Sequence, residues 1–115
     1  MLPIRFRTTP NGCRVITVQE PFALFAGFLN GEGTVRRTER LLGLIDDSLL
    51  AEQGTIEFAQ DYAVVMLDAD RKVAQLSAEN VPTETIEECE MPLDLLRQIT
   101  SEWLNYLNEA EEDDA

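Results

Sequence analysis

The sequence predicts an α+β fold, in which an antiparallel β-sheet of about five to seven strands carries two amphipathic helices packed on one face. Short segments rich in β-branched and aromatic residues are separated by turn-forming residues, which is typical of an antiparallel meander. Two longer segments carry apolar residues at the three- and four-residue spacing of a helix. At 115 residues, 44% of them hydrophobic, the chain is long enough to bury a core without a metal or a disulfide.

The first two strands are predicted over residues 3–7 and 13–19, joined as a hairpin. Asn11 and Gly12 lie between them, and this dipeptide tolerates the positive φ angles that tight hairpin turns require. The apolar segment 21–29 follows, and it fits either a third strand or a short helical turn packed on the core.

The first clear helix is predicted from about Val35 to Gln53. Thr34 precedes it as an N-cap, and Gly54 follows it as a residue suited to a helix end. Gly43 within the helix costs about 1 kcal/mol relative to Ala, which indicates close packing or a break at that point.

A strand meander follows, with a turn at 68–71 in which Asp68 is expected to bond the backbone two residues on. The alternation of the last strand puts Glu88 and Glu90 on the face opposite Cys89. Ile86 does not fit this alternation and predicts a bulge or a shifted start. The strands are predicted over 55–58, 62–67, 72–77 and 85–91.

The last helix is predicted to begin at Pro92, because a proline is tolerated in the first turn of a helix. Its apolar stripe continues to Leu107, and the helix is expected to end near Asn108. Residues 109–115 carry five acidic residues and are expected to form a disordered tail. The predicted organisation is therefore one domain over 1–108 followed by this tail.

Charge is divided unevenly along the chain, with a net of +3 over residues 1–43 and −16 over residues 44–115. The formal net charge is −13, and the chain has no histidine. Such a surface repels nucleic-acid backbones and anionic membranes, so we expect neither as a partner. The N-terminal residues lack a signal-peptide pattern, so we expect a cytoplasmic protein.

Residue types for catalysis or metal binding are scarce. Without histidine the chain lacks the usual base of a nucleophilic triad and a principal ligand of zinc sites. Cys13 and Cys89 lie far apart in sequence among strand-forming residues, where a buried free thiol is the expected state. We therefore expect no enzyme activity, no metal and no cofactor.

The best candidate for a functional surface is an acidic segment of the second half, together with the turn at 68–71. The predicted partner-binding residues are Asp68, Asp70, Glu79, Glu84, Glu87, Glu88 and Glu90. Like charges held together destabilise a fold, and a basic protein partner would relieve that cost. The competing interpretation is a charged edge strand that prevents sheet-to-sheet aggregation. The sequence leaves these two interpretations about equally open.

Three arginines, Arg36, Arg37 and Arg40, open the first predicted helix, where the helix dipole disfavours positive charge. The simpler interpretation gives them a carboxylate of the same chain as partner. The alternative is a contact with the acidic half of a second copy, which would form a homodimer.

The second half of the chain, over residues 55–108, resembles small immunity proteins of bacterial polymorphic-toxin and contact-dependent inhibition systems. The resemblance rests on a hairpin, an acidic strand, and the segments 90–96 (EMPLDLL) and 102–107 (EWLNYL). It implies an acidic inhibitor that covers the positively charged active site of a nuclease toxin. Under this hypothesis the carboxylates from Glu79 to Glu90, with Asp68 and Asp70, would face the basic cleft of the toxin.

A structural or assembly protein is the alternative function, for instance a homodimer or a small subunit of a larger complex. Its supporting feature is the trio Phe22, Phe25 and Phe28, since an exposed apolar patch marks an interface.

Overall fold

The computed structural model describes residues 4–12, 14–20, 22–31, 35–59, 63–80 and 85–113, and within them the chain has the predicted α+β fold. The strands and helices described are β1 (Ile4–Thr8), β2 (Arg14–Val18), α1 (Leu24–Gly31), α2 (Val35–Leu50), β3 (Thr55–Ala59), β4 (Ala63–Asp68), β5 (Val73–Asn80), β6 (Thr85–Pro92) and α3 (Leu93–Asp113). The strands form two antiparallel sheets, β1-β2 and β3-β4-β5-β6, where the sequence predicted one sheet.

The predicted N-terminal hairpin is confirmed, with β1 and β2 paired from Ile4–Val18 to Thr8–Arg14. Gly12 has a φ of +86°, and its N–H donates to the carbonyl oxygen of Thr9 at 2.9 Å. A left-handed backbone at this position explains why glycine follows asparagine in the loop.

The aromatic segment after the hairpin forms the helix α1, not a third strand. Phe25, Phe28 and Leu29 recur at helical spacing and are buried, while Phe22 is partly buried against the same core. The three phenylalanines therefore belong to the core, and the exposed apolar patch that would support an assembly role is not formed by them.

Helix α2 ends at Leu50, three residues earlier than predicted, and Lys72 accounts for this end. The Lys72 ammonium donates to the backbone carbonyls of Ser48 and Leu49, at 3.1 and 3.0 Å, and to that of Ala51. A cation at this helix end satisfies orphan carbonyls and complements the helix dipole. The predicted N-cap, Thr34, lies outside the described residues.

Two glycines near this helix behave differently from the prediction. Gly43 is exposed, a Cβ there would meet nothing within 4 Å, and α2 continues through it unbroken. The prediction of close packing or a break at Gly43 was therefore wrong. Gly54 has a φ of +105°, as a helix-ending glycine would, but it lies in the link between α2 and β3.

The predicted meander is confirmed as the sheet β3-β4-β5-β6, with every neighbouring pair antiparallel. The β5–β6 register runs without interruption from Val73–Pro92 to Asn80–Thr85. The bulge predicted near Ile86 is therefore absent from this ladder. Ile86 fits the strand because the backbone pairs regularly with Glu79, whatever the polarity of the side chain.

All three described helices contact one face of the four-stranded sheet and enclose the core there. Trp103 of α3 is fully buried, and Phe6 of β1 stacks on it at a ring distance of 5.8 Å. Helix α3 continues to Asp113, whereas the sequence prediction ended it near Asn108. The extension includes glutamates and an alanine, which are good helix formers, and no Gly or Pro interrupts it.

Candidate functional site

The second face of the four-stranded sheet faces away from the described helices. Strand alternation and register place twelve outward positions on it in three rows. We call these positions the open face. The rows are Thr55, Asp68, Val73 and Pro92; Glu57, Met66, Gln75 and Glu90; and Ala59, Val64, Ser77 and Glu88. None of these twelve side chains is buried, whereas inward neighbours such as Val65, Leu67 and Leu76 are.

The open face has glutamates at its edges and a mixed centre, in which Val64, Met66 and Val73 lie among Asp68, Gln75 and Ser77. Glu57 lies on the edge strand β3, and Glu88 and Glu90 lie on the opposite edge strand β6. Val64 and Met66 lie between them, and Val64 is 36% exposed. Three strand spacings separate Glu57 from Glu90, which is about 14 Å. None of the twelve positions is a lysine or an arginine.

Glu90 is the one member of the predicted set with an ion pair among the described residues. The Arg71 guanidinium lies 3.1 Å from a Glu90 carboxylate oxygen, and the two side chains are 60% and 44% exposed. Ion pairs this exposed contribute about 0–1 kcal/mol because water and salt screen them. Glu90 therefore stays accessible to a cationic partner, and Arg71 holds it in a defined position.

Asp68 and Asp70 lie at the end of the sheet nearest Glu90, where they stabilise the turn between β4 and β5. Asp68 Oδ1 accepts from the N–H of Asp70 at 3.0 Å and from the N–H of Arg71 at 3.2 Å. This is the predicted bond to the backbone two residues on. Asp70 Oδ2 accepts from the N–H of Gly54 at 3.2 Å, which ties the turn to the start of β3.

Three further predicted residues have no described side chain. Glu84 lies outside the described residues, and Glu79 and Glu87 are described only through their backbone, opposite Ile86 and Ala78. The described part of the acidic segment on the open face is therefore Glu88 and Glu90.

Glu57 and the central strands are the part of the open face that the sequence prediction missed. The signal was present, because Glu57 lies between Ile56 and Phe58 in a predicted strand and alternation puts it on the opposite face. Glu57 lies on the same face of the sheet as Glu90 because of the order of the strands, and a single sequence does not specify that order.

The inward side of β6 carries Cys89, which is half-buried beside the core. Burial raises the pKa of this thiol above its ordinary value, and the nearby charge of Glu20 acts in the same direction. A raised pKa favours the protonated, unreactive form. Cys13, the other cysteine, lies outside the described residues.

The described residues contain neither a cluster of metal-ligating side chains nor a membrane-spanning helix. Among the residues that the structure describes, no three histidine, cysteine or acidic side chains converge as metal ligands would. None of the helices within them is both long and apolar enough to cross a bilayer.

Comparisons of the chain with protein-family models, with curated protein sequences and with solved structures each find no match. The interpretation of the open face therefore depends on its own geometry and charge.

Proposed function

We propose that this protein is an acidic protein-binding module whose open face docks against a basic partner. In its most specific form, the proposal is an immunity protein that occludes the basic active site of a nuclease-type toxin in the cytoplasm. The observation that carries it is the composition of the open face, which has glutamates at both edges, three apolar side chains in its centre and no lysine or arginine at any of its twelve positions.

This composition matches the general anatomy of a protein interface, with a desolvated apolar centre and a polar rim. The centre, around Val64 and Met66, supplies apolar area whose burial against a partner stabilises the complex. The rim, at Glu57, Glu88 and Glu90, supplies charge that steers a basic partner and raises the association rate. A toxin inhibitor benefits from fast capture.

The size of the open face sets a further requirement. Strand and residue spacings give it sides of roughly 20 Å, which is about half of the area that each partner buries in a standard interface. The partner is therefore expected to contact adjoining elements as well. The β4–β5 turn, with Asp70 and Arg71, adjoins the row that ends in Pro92, and its Arg71 side chain reaches Glu90.

The test is inhibition of a panel of basic nuclease toxin domains, followed by stopped-flow association with any domain that is inhibited. We expect association to slow by about tenfold or more between low and high salt, because screening removes steering. We also expect the double variant Glu88→Lys/Glu90→Lys to slow association markedly at low salt. Its unfolding free energy should change little, which would show that the slower association is not a loss of folding.

The matched control is Glu102→Lys/Glu109→Lys, which makes the same charge change at two exposed positions of α3. If both double variants slow association equally, net charge explains the effect and the open face is not the docking surface. A salt-independent association rate would contradict the electrostatic part, and failure to inhibit any basic nuclease would contradict the immunity role.

A further inference from the structure

A groove lies between helix α2 and the free edge of strand β3, which pairs only with β4 in the described sheet. It encloses a cavity of about 140 Å³. Its lining residues are Arg37, Arg40 and Leu44 of α2 and Glu57, Phe58 and Ala59 of β3. Small-molecule sites usually measure about 300–1,000 Å³, so this cavity suits a single side chain better than a cofactor.

The backbone of β3 offers hydrogen-bonding groups to this groove. The N–H of Ala69 donates to the carbonyl of Gly54 at 2.9 Å, in register with the β3–β4 ladder. Bonded pairs alternate along an antiparallel ladder, so Ile56 and Phe58 bond towards β4. The N–H and C=O groups of Glu57 and Ala59 therefore point to the free edge.

Among the described residues, such an edge is covered at β2 but not at β3. The side-chain amide of Asn30 accepts from the N–H of Ile16 at 2.9 Å and donates to its carbonyl at 3.0 Å, which closes the outer edge of β2. No side chain among the described residues bonds the backbone of Glu57 or Ala59. Free strand edges of this kind accept an added strand.

The charged residues that line the groove are two arginines and one glutamate. The Arg40 guanidinium lies over the Phe58 ring, 6.0 Å from its centre, and Arg40 makes no ion pair with any described residue. Arg37 and Arg40 are three residues apart, so they share one side of the helix. They lie near the N-terminal end of α2, whose first turn has no acidic residue, and the helix dipole adds positive potential there.

We propose that this groove binds an extended acidic segment of another protein as an added β-strand. The backbone of the segment pairs with Glu57 and Ala59, and its acidic side chains alternate towards the side of the groove where Arg40 lies. The residues between them face the side of Glu57, so they must be neutral or basic. This site shares Glu57 and Ala59 with the margin of the open face, but it does not depend on the function proposed for that face.

The experiment is an NMR titration of the full chain with a synthetic eight-residue peptide, acetyl-TETETETE-amide, which alternates neutral and acidic residues. The composition-matched control is acetyl-TTTTEEEE-amide, which has the same charge but cannot place its acidic residues on one side of a strand. We expect the alternating peptide to shift the amides of Glu57 and Ala59. It should bind about tenfold more tightly than the control, the ratio that one well-placed charged contact gives.

Two pairs of variants locate the contacts. Arg40→Gln should weaken binding of the alternating peptide by about tenfold, while Arg36→Gln, on the same helix but outside the groove, should not. Ala59→Pro removes the N–H that faces the free edge, and proline is tolerated at such positions, so it should abolish the shift at Glu57. Ala59→Ser keeps the N–H and should bind as the wild type does.

The proposal is overturned by equal affinity for the two peptides, by amide shifts confined to β6, or by indifference to both Arg40→Gln and Ala59→Pro. It is also overturned if sedimentation shows that the protein forms a dimer abolished by Ala59→Pro, since a second copy would then occupy the edge.

Discussion

Within the described residues, both edge strands of the four-stranded sheet carry glutamate on the open face, but only β3 is also flanked by arginines of α2. At the β3 edge, Glu57 and Ala59 face a groove lined by Arg37 and Arg40 of α2. At the β6 edge, the outward side chains are Glu88 and Glu90. Because the two edges offer similar backbone hydrogen-bonding groups, the side chains beside each edge are expected to decide which partner strand it binds.

The same arrangement disfavours pairing between copies. Two β6 edges would bring glutamates together, and two β3 edges would bring arginines together. Pairing β3 of one copy with β6 of another would place Glu57 beside Glu88 or Glu90 on the same face of a continuous sheet. The charge difference therefore opens each edge to a different outside partner while limiting self-association.

The largest expected effect on stability is at Phe58, the buried residue of β3. Phe58 contacts Phe28 edge-on at 5.9 Å, whereas Cys89 of β6 is only half-buried, although Met91 of the same strand is fully buried. Phe58→Ala should lower the unfolding free energy by about 3 kcal/mol, and Cys89→Ala by about 1 kcal/mol or less. Urea denaturation measures both, and equal losses would show that these two positions contribute alike.

The groove at β3 also depends on how α2 is held over the sheet. Lys72→Met keeps the aliphatic stem but removes the ammonium that caps Ser48, Leu49 and Ala51, so we expect a loss of about 1–2 kcal/mol. Urea denaturation checks the loss, and the amide shifts of α2 should change most in its last turn. A variant as stable as the wild type would mean that Lys72 does not anchor the helix.

A smaller effect, in the stabilising direction, is expected at Gly43 of α2. Gly43→Ala places a methyl group in open space on the exposed side of α2, so helix propensity alone should stabilise the protein by about 0.5–1 kcal/mol. Thermal and urea unfolding measure this gain. Destabilisation would mean that the position tolerates only glycine, as the sequence alone had suggested.

The smallest expected effect on stability is at the β6 edge. Glu90→Gln breaks the exposed ion pair with Arg71 and should change the unfolding free energy by no more than about 0.5 kcal/mol. The same substitution should nevertheless slow capture of a basic partner, because it removes one charge from the rim. Arg71→Gln, which frees Glu90, should leave capture as fast or faster. A loss of about 2 kcal/mol would instead make this pair a structural element, because it exceeds what exposed pairs contribute.

The sequence predicts the elements well where the local pattern decides them. The β3–β6 meander and the turn bond of Asp68 follow from alternation and turn chemistry, and α3 follows from its apolar stripe. It predicts less where contacts distant in sequence decide. The early end of α2 depends on Lys72, 22 residues beyond Leu50, and the position of Glu57 opposite Glu90 depends on strand order.

The candidate site shows the same limit. The sequence predicts a functional surface on the acidic segment that contains Glu88 and Glu90, but a count of charges along the chain does not separate the two sides of a strand. The groove was not predicted, because it is formed by a helix and a strand edge that only the fold brings together. The one feature of the sequence that indicates the groove is Arg40, whose positive charge lies near the N-terminal end of a helix, where the helix dipole disfavours it.

The most direct test of the difference in local electrostatic potential between the β3 edge and the β6 edge needs no partner. Amide relaxation in NMR is measured with two nitroxides of equal size, one cationic and one anionic, which concentrate where the local potential attracts them. The ratio of cationic to anionic enhancement should be high at Glu88 and Glu90 and clearly lower at Glu57 and Ala59. Because both edges belong to one molecule, the net charge of −13 biases both ratios alike. Equal ratios at the two edges, or a higher ratio at β3, would contradict the account.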